Sequence, residues 1–371
     1  MKLTRLSLNN FRNYDHCDFE FNNNLNIIIG DNGSGKTTLL EAIHYLSITK
    51  SFRTHNDDDV INNNHIYYQI FGTFKDNNNN DSIVNLNYSK NDGKKLFVNN
   101  TEFKKKTDII GKIPVIILSP GIRSITEGGP SVRRNFIDRI LSQTDHDFLK
   151  ALIEYRRMLN QRNAILADYK NRDVKKYNRY IETIDEIMIS HALYIQINRQ
   201  KFVDYYNPIF EKIYRKLAHF DNPVYVKLNP NISTDTDDFS DVYKNKLIDR
   251  YERDLILGRT GAGPHLDQVQ MIFGDRDIRF TGSQGEHKIY LIALKIAESL
   301  FIEERLKNKV IFLLDDLFAL LDIEHCINVI GKIGKSNQIF ITATDITVFK
   351  KYKFRFDKYN MKIFNLPIGV S

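Results

Sequence analysis

The feature that most constrains this chain is a glycine-rich segment set between two apolar ones. Leu25 to Ile29 reads as a buried strand, Gly30-Asp31-Asn32-Gly33-Ser34-Gly35-Lys36-Thr37-Thr38 follows, and Leu39-Leu40-Glu41-Ala42-Ile43 opens a helix. A strand running through such a loop into a helix is the context in which a phosphate-binding loop works. Gly30, Gly33 and Gly35 let backbone N–H groups close around phosphates, and the helix N-terminus adds its dipole. Lys36 reaches the β- and γ-phosphates, and Thr37 offers a hydroxyl to Mg²⁺. The segment predicts a nucleoside triphosphate site, with residues 30 to 38 as its cradle.

A phosphate loop of this kind needs a carboxylate partner. Ile311 to Leu314 form a second apolar run and end in Asp315 and Asp316. Asp315 fits the acid that holds Mg²⁺ together with Thr37. Asp316, one residue further, is placed to polarise the attacking water, with Lys36 as the second catalytic group. Shortly before this strand, Ser283-Gln284-Gly285-Glu286 opens a helix with Ile289, Ile292, Ile296 and Leu300 on one face. Ser283 is either a simple N-cap or the signature motif of an ABC-type ATPase, where Ser283, Gln284 and Gly285 complete the nucleotide site of a second subunit.

Around these motifs the chain is long enough, at 371 residues, for two lobes. Its 42% hydrophobic and 27% charged residues exclude disorder as the main state. Cys17 and Cys326 are far apart, with neither a CxxC nor a histidine cluster, so no disulfide framework or zinc site is expected and a reducing cytoplasm fits. Arg5 and Asn9 interrupt any apolar signal core, and no window has the apolar length of a membrane span, so no membrane partner is expected. A net charge of +7 permits a polyanionic partner without demanding one.

Asn-rich stretches (Asn22 to Asn24, Asn56 to Asp59, Asn62 to Asn64, Asn77 to Asp81) read as loops between short strands such as Tyr67 to Phe74. From about Arg133 to His219 the texture becomes helical. Phe148, Leu152, Tyr155 and Leu159 form one stripe; Ile181, Ile184, Met188, His191 and Ile195 form another. Polar residues from Asp168 to Asn178 separate them, which predicts an antiparallel hairpin of two helices, each a few turns long. Strand texture returns at Val310 and at Gln338 to Ala343.

With these residues in place the chain resembles the RecF family of bacterial DNA-repair ATPases from end to end. The matching segments are Leu6 to Tyr14, the phosphate loop, Lys50 to Thr54, Gly128 to Arg139, Gly263 to Asp267, Ser283-Gln284-Gly285, Leu313 to Asp316 with Asp322, and Ile339 to Thr344. The resemblance implies an ABC-type P-loop ATPase head, SMC- and Rad50-like, with an inserted helical lobe and no long coiled coil. Residues 1–120 and 290–371 would form the ATPase lobe, and residues 121–289 a mainly helical lobe carrying the signature. The resemblance also implies weak, DNA-stimulated ATPase activity, homodimerisation on ATP, action at single-strand gaps or junctions in DNA, partnership with RecR and assistance to RecA loading. The alternatives are an ATP-gated DNA-binding scaffold with incidental hydrolysis, or another SMC/ABC-type ATPase. Asp322 falls at the D-loop, and Thr342 to Thr344 fall where such ATPases sense the γ-phosphate. Arg12 matches a residue that reaches the nucleotide in related ATPases; a surface ion pair is its other reading. Departures from the family pattern fall at Gly121 to Arg123, at Leu266 and Gln268, and at Phe318-Ala319.

For DNA the bare residues say less. Arg172, Lys175, Lys176 and Arg179 share one helical face, which either tracks a phosphate backbone or is solvated. Arg133 and Arg134 either contact phosphate or pair with acids such as Asp138. Lys351, Lys353 and Arg355 alternate with aromatics as a basic edge strand would.

Overall fold

The computed structural model describes residues 1–76, 79–168, 174–218, 222–233, 238–316, 337–347 and 360–366, the side chains of 174–178 excepted. Asp322, Cys326, Arg172 and the run from Lys351 to Arg355 lie outside these residues.

In chain order the elements begin with β1 (Lys2–Phe11), β2 (Tyr14–Glu20), β3 (Leu25–Ile29), α1 (Lys36–Ile48), β4 (Tyr67–Lys75), β5 (Asp81–Ser89), β6 (Gly93–Val98), β7 (Thr101–Glu102) and β8 (Val115–Leu118). There follow α2 (Ser124–Glu127), α3 (Pro130–Thr144), α4 (His146–Ala167), α5 (Val174–Leu217), β9 (Val224–Asn229), α6 (Phe239–Asp249) and α7 (Tyr251–Leu257). Then come β10 (Gln268–Phe273), β11 (Arg276–Asp277), α8 (Ile278–Thr281) and α9 (Gln284–Leu306), and finally β12 (Ile311–Leu314), β13 (Gln338–Ala343) and β14 (Met361–Asn365). The chain divides into two compact units, Met1–Ile122 with Ser299–Ser371, and Arg123–Glu298.

In the first unit, the described residues form an antiparallel sheet in the order β2-β1-β4-β5-β6-β7 and a parallel sheet in the order β14-β3-β13-β12-β8. The two textures follow from burial. β4 alternates buried and part-exposed positions, as a strand with one dry face does, whereas β12 and β13 are buried at every position. Helix α1 packs on β4 and β5 of one sheet and on β8 and β13 of the other. It is therefore dry from Thr38 to Ser47, including the carboxylate-bearing Glu41. Parallel pairing brings the C-terminal ends of β3, β12 and β13 to one edge, and ligands bind at that edge in open parallel sheets.

The second unit is mainly helical. Its core pair is α4 against α5, antiparallel because Arg162 meets Asp185 while Asp145, near the other end of α4, meets Tyr194. The stripe Phe148, Leu152, Tyr155 is buried, with Met158 rather than Leu159 completing it. Helix α5 departs from the expected few turns: it has 44 residues, or about 66 Å at ~1.5 Å per residue. The apolar stripe marks only its first part. Beyond it, Asn207 takes over a strand's pairing role, its amide donating to the Val226 carbonyl and accepting from the Val226 N–H at 2.9 and 2.8 Å. Tyr206 donates to the Leu294 carbonyl at 2.6 Å. Helix α9 also departs from a one-sided stripe, since every residue from Tyr290 to Ser299 is buried while Leu300 is exposed. No helix among the described residues is long and apolar enough to cross a membrane.

Charged side chains knit this unit internally. Arg162 is fully buried and bonds Asp185, Asp254 and the Thr260 hydroxyl. Arg199 bonds both oxygens of Asp138, one of Asp267 and the Pro264 carbonyl. The Gly263 to Asp267 segment threads between them: Gly263 has φ +128, and a Cβ there would lie 2.2 Å from the Tyr243 hydroxyl and 2.4 Å from that of Tyr155. Only glycine fits. Next to it, His265 Nδ1 accepts from the Tyr155 hydroxyl at 2.7 Å and Nε2 donates to the Thr260 carbonyl at 3.1 Å.

This arrangement yields a pH prediction. Burial, reinforced by Arg134, Arg162 and Arg199, pushes His265 down to about 4, against ~6.5 in an unfolded chain. The folded state keeps the ring neutral while the unfolded state takes up a proton, so stability present above about pH 6.5 is lost as pH falls towards 4. Between pH 7 and pH 5 the loss is about 2 kcal/mol. His265→Gln should remove that part of the slope, checked by urea midpoints at the two pH values. An equal slope in wild type and variant excludes this coupling.

Candidate functional site

The C-terminal edge of the parallel sheet opens into a cleft of about 890 Å³ in the first unit, lined by Lys36, Thr37, Asp315, Asp316, Thr342 and Arg12 among others. Local sequence builds its floor. β3 ends at Ile29, Gly30 N–H donates to the Ala343 carbonyl at 3.3 Å, and the loop turns back through Gly33 at φ +86 and Gly35 at φ +95. A Cβ on Gly35 would lie 2.7 Å from the Tyr14 hydroxyl and 2.8 Å from Asn13 Nδ2, while one on Gly33 would meet nothing within 4 Å. Gly35 is thus fixed both by backbone and by its neighbours. Helix α1 starts immediately after it with no capping side chain, which leaves first-turn N–H groups directed at whatever lies in the loop. Asp31 and Asn32 are exposed on the loop, and Ser34 and Thr38 are buried beneath it.

Lys36 Nζ donates to the Gly30 and Asp31 carbonyls at 2.6 and 2.8 Å. Burial lowers its pKa, and the Asp316, Asp315 and Asp31 carboxylates oppose that shift. Thr37 Oγ1 donates to Asp315 Oδ1 at 3.0 Å and lies 3.2 Å from Oδ2; Thr342 Oγ1 donates to Asp315 Oδ1 at 2.9 Å. Burial raises the Asp315 pKa, and the Thr342 and Thr37 hydroxyls pull it back. Asp316 adopts φ +49, with its N–H donating to Thr342 Oγ1 at 2.8 Å. That left-handed turn brings the exposed Asp316 carboxylate into the cleft lining. A hydroxyl and a carboxylate facing each other are hard oxygen donors, the set that Mg²⁺ takes alongside substrate phosphates.

The structure brings the expected phosphate-loop residues together with Asp315 and Asp316, and adds partners that sequence reasoning missed. Arg12 lines the cleft, but its guanidinium is engaged: Nε and Nη2 donate to Glu41 at 3.1 and 2.8 Å, and Nη1 to the Asp59 carbonyl at 2.7 Å. Of its two readings, the structure holds the ion pair, with a buried partner. Arg53 and Ser51 also donate to Glu41. In the sequence Glu41 is one polar residue in an apolar helix, and nothing marks it as the counter-charge of two arginines.

In the second unit Ser283, Gln284 and Gly285 are exposed at the start of α9. Ser283 N–H donates to Glu286 Oε2 at 2.7 Å and Glu286 N–H to Ser283 Oγ at 3.3 Å, a capping box. The capping role is real and leaves the three residues accessible. The DNA assignments change. Arg133 is buried, bonded to Asp277 through both guanidinium ends and to the Thr126 carbonyl. This corrects its reading as a phosphate contact, and its acid is Asp277, since Asp138 serves Arg199 and Arg156. Arg134 is half-buried and donates to the Asp267 carbonyl. Lys175 and Lys176 lie on α5 with side chains outside the described residues, and Arg179 is exposed. Among the described residues no cluster of His, Cys, Asp or Glu has the make-up of a protein-only metal site.

Comparison with known proteins agrees with this geometry. A family model described as RecF/RecN/SMC N terminal domain matches residues 2–362. The DNA replication and repair protein RecF of Chloroherpeton thalassium is 34% identical over 360 residues, covering 95% of this chain and 97% of that protein. RecF of Leptospira interrogans is 33% identical over 354 residues, covering 95% and 94%. A solved structure of the recombination mediator protein RecF-ATP in the RecFOR pathway matches with a TM-score of 0.86 at 26% identity, over 93% of this chain and 92% of that one. The Smc head domain of Pyrococcus furiosus shares the fold, with a TM-score of 0.53 at 16% identity over 94% and 91%. The expected SMC/Rad50-like ABC ATPase head is the fold observed.

Glu41 offers a test of how the cleft wall is held. Glu41→Ala leaves Arg12 without its buried carboxylate, and removing one partner of a buried pair costs about 3–5 kcal/mol. Chemical denaturation should show that loss. A change below about 1 kcal/mol, the worth of an exposed pair, would show that the arginines do not depend on it.

Proposed function

The chain belongs to the RecF/RecN/SMC N terminal domain family and is similar to RecF proteins over most of its length, and from that premise we propose that it is an ATP-binding DNA replication and repair protein that hydrolyses ATP as a homodimer. The observation that carries the reading is the hydrogen-bonded series Thr37, Asp315, Thr342, Asp316 at the mouth of a glycine loop whose helix lacks a capping side chain.

In this reading the triphosphate lies along Gly30 to Thr38. First-turn amides of α1 donate to it, and Lys36 exchanges its two loop carbonyls for phosphate oxygens. Thr37 and Asp315 would hold Mg²⁺, which would supply charge neutralisation at the β- and γ-phosphates. Thr342 keeps Asp315 oriented and, through the Asp316 N–H, fixes the turn that presents the second carboxylate. Asp316 accepts a hydrogen bond from the attacking water and takes its proton. Ser283, Gln284 and Gly285 of the partner copy close over the γ-phosphate, anions being favoured at a helix N-terminus. Family membership supports the finer assignments: dimerisation on ATP, slow turnover raised by DNA, action at single-strand gaps or junctions, contact with RecR, and help in loading RecA.

Two experiments test this. Asp316→Asn should still bind ATP and dimerise, as read by light scattering, while turnover falls roughly 10²-fold or more; wild-type turnover would move the catalytic role elsewhere. Ser283→Arg should bind ATP as a monomer yet neither dimerise nor hydrolyse. Mixing it with Lys36→Ala gives heterodimers in which one composite site is doubly damaged and the other intact, so part of the activity should return. If heterodimers form without recovered activity, Ser283 is an N-cap alone.

A further inference from the structure

Within the second unit, α3, α4, α5 and the Pro264-His265 turn enclose an open pocket of about 330 Å³, lined by Arg134, Arg156 and Arg199 together with Ser131, Asn135 and Asp138. This is the low end of the size range of small-molecule sites. The three guanidiniums differ in how far they are used. Arg199 is buried and spends four N–H groups on Asp138, Asp267 and the Pro264 carbonyl. Arg134 uses one, from Nη1 to the Asp267 carbonyl at 2.8 Å, and among the described residues no acceptor meets its Nε or Nη2. Arg156 uses only Nη2, towards Asn135 at 3.2 Å and Asp138 at 3.1 Å, which leaves Nε and Nη1. The Ser131 hydroxyl likewise meets no acceptor among the described residues and is exposed.

Charge points the same way. Three arginines against Asp138 and the underlying Asp267 leave one positive charge. His265 adds none, being committed to the Tyr155 hydroxyl on one nitrogen and the Thr260 carbonyl on the other. Burial, and next the neighbouring Arg199, lower the Arg134 pKa. A half-buried arginine beside two others is a strained arrangement that a shared anion relieves, and a guanidinium fork matches the oxygens of a phosphate in pairs.

We propose that this pocket seats one phosphate group, held by the unused edges of Arg134 and Arg156 and by the Ser131 hydroxyl. A phosphodiester carries a single negative charge, which balances the single excess positive charge; a DNA strand and a small free phosphodiester are the two sources of this chemistry. The DNA source rests on the repair-protein reading above, whereas the pocket's affinity for phosphate does not. The pair Arg133 and Arg134 thereby divides its labour: the first braces the unit through Asp277, and the second faces the ligand.

The test uses the full chain with two readouts. In the first, dimethyl phosphate is titrated at constant ionic strength against wild type, Arg134→Gln, Arg156→Gln and Arg134→Lys, following Tm. Wild type should rise and both Gln variants should not; Arg134→Lys, which keeps the charge and loses the fork, should respond weakly. In the second, binding of a gapped duplex with ATP is measured across a salt series. Each Gln variant should lower the slope of log K against log[salt] by about one, the value of one phosphate contact. Arg215→Gln, which removes a surface pair with Glu211 in the same unit, should leave both readouts at wild-type values. Loss of the dimethyl phosphate response with an unchanged salt slope supports the pocket with a small free phosphodiester as its ligand. Wild type that responds to dimethyl phosphate but binds no DNA supports the pocket while refuting the repair-protein reading. Gln variants that are folded by circular dichroism and match wild type in both readouts overturn the proposal.

Discussion

A carboxylate that is almost wholly buried, Asp315, organises the first unit. It sits where β12 ends and receives hydroxyls from the head of α1 and from β13. An unpaired buried charge is costly, so the strand order that brings Thr37 and Thr342 to it is favoured over orders that would strand it. The apolar runs of β3, β12 and β13 supply the driving force for a parallel sheet, and on their own they leave its register open by any step that keeps the surfaces dry. The two hydroxyls narrow that choice. The same contacts place Thr37 and Asp315 as a facing pair of oxygen donors, so the requirement that fixes the sheet also builds the site.

Sequence reasoning reached what depends on local pattern. The strands Leu25 to Ile29 and Gln338 to Ala343 have the bounds that the apolar runs suggested, and the glycine loop reads directly because its chemistry is contiguous. Contacts between distant charges were not legible. Arg162 and Arg199 look in the sequence like surface arginines of an amphipathic helix, yet both are buried, their acids lying many residues away at Asp254 and Asp267. Arg133 is similar: of its two readings the ion pair holds and the phosphate contact does not, and only the fold supplies Asp277 as its acid. The stripe from Ile181 to Ile195 covers only the first part of α5. Past Ile195 its buried face continues through Phe202, Tyr206 and Phe210, whose rings stack on one another along the same helix, and the Asn207 amide ties it to β9.

The two units satisfy their buried polar groups in different ways. In the first, a few side chains converge on Glu41 and Asp315, next to the cleft. In the second, arginines bridge helices along the length of the α4–α5 pair and tie it to the Gly263–Asp267 segment. Breaking such a bridge exposes a charge to a dry interior, whereas replacing both partners by apolar groups is often tolerated. Register, more than net stability, is therefore what these pairs contribute: a one-turn slip of α5 along α4 would part Arg162 from Asp185 and Tyr194 from Asp145 together.

That rigidity bears on the signature helix. Helix α9 is buried on every side from Tyr290 to Ser299, with Tyr206 donating to its Leu294 carbonyl and Lys295 paired with Glu298 inside it. A helix segment gripped all round cannot roll or bend to suit a ligand, and ahead of it lies an accessible first turn, where Ser283 and Glu286 cap each other and Gln284 and Gly285 are exposed. In the proposed dimer a nucleotide captured there would meet a preformed turn and would not have to order a loop, so little of its binding free energy would go into conformational entropy. The price falls on selectivity by induced fit, because a fixed first turn distinguishes ligands only by where their charge lies.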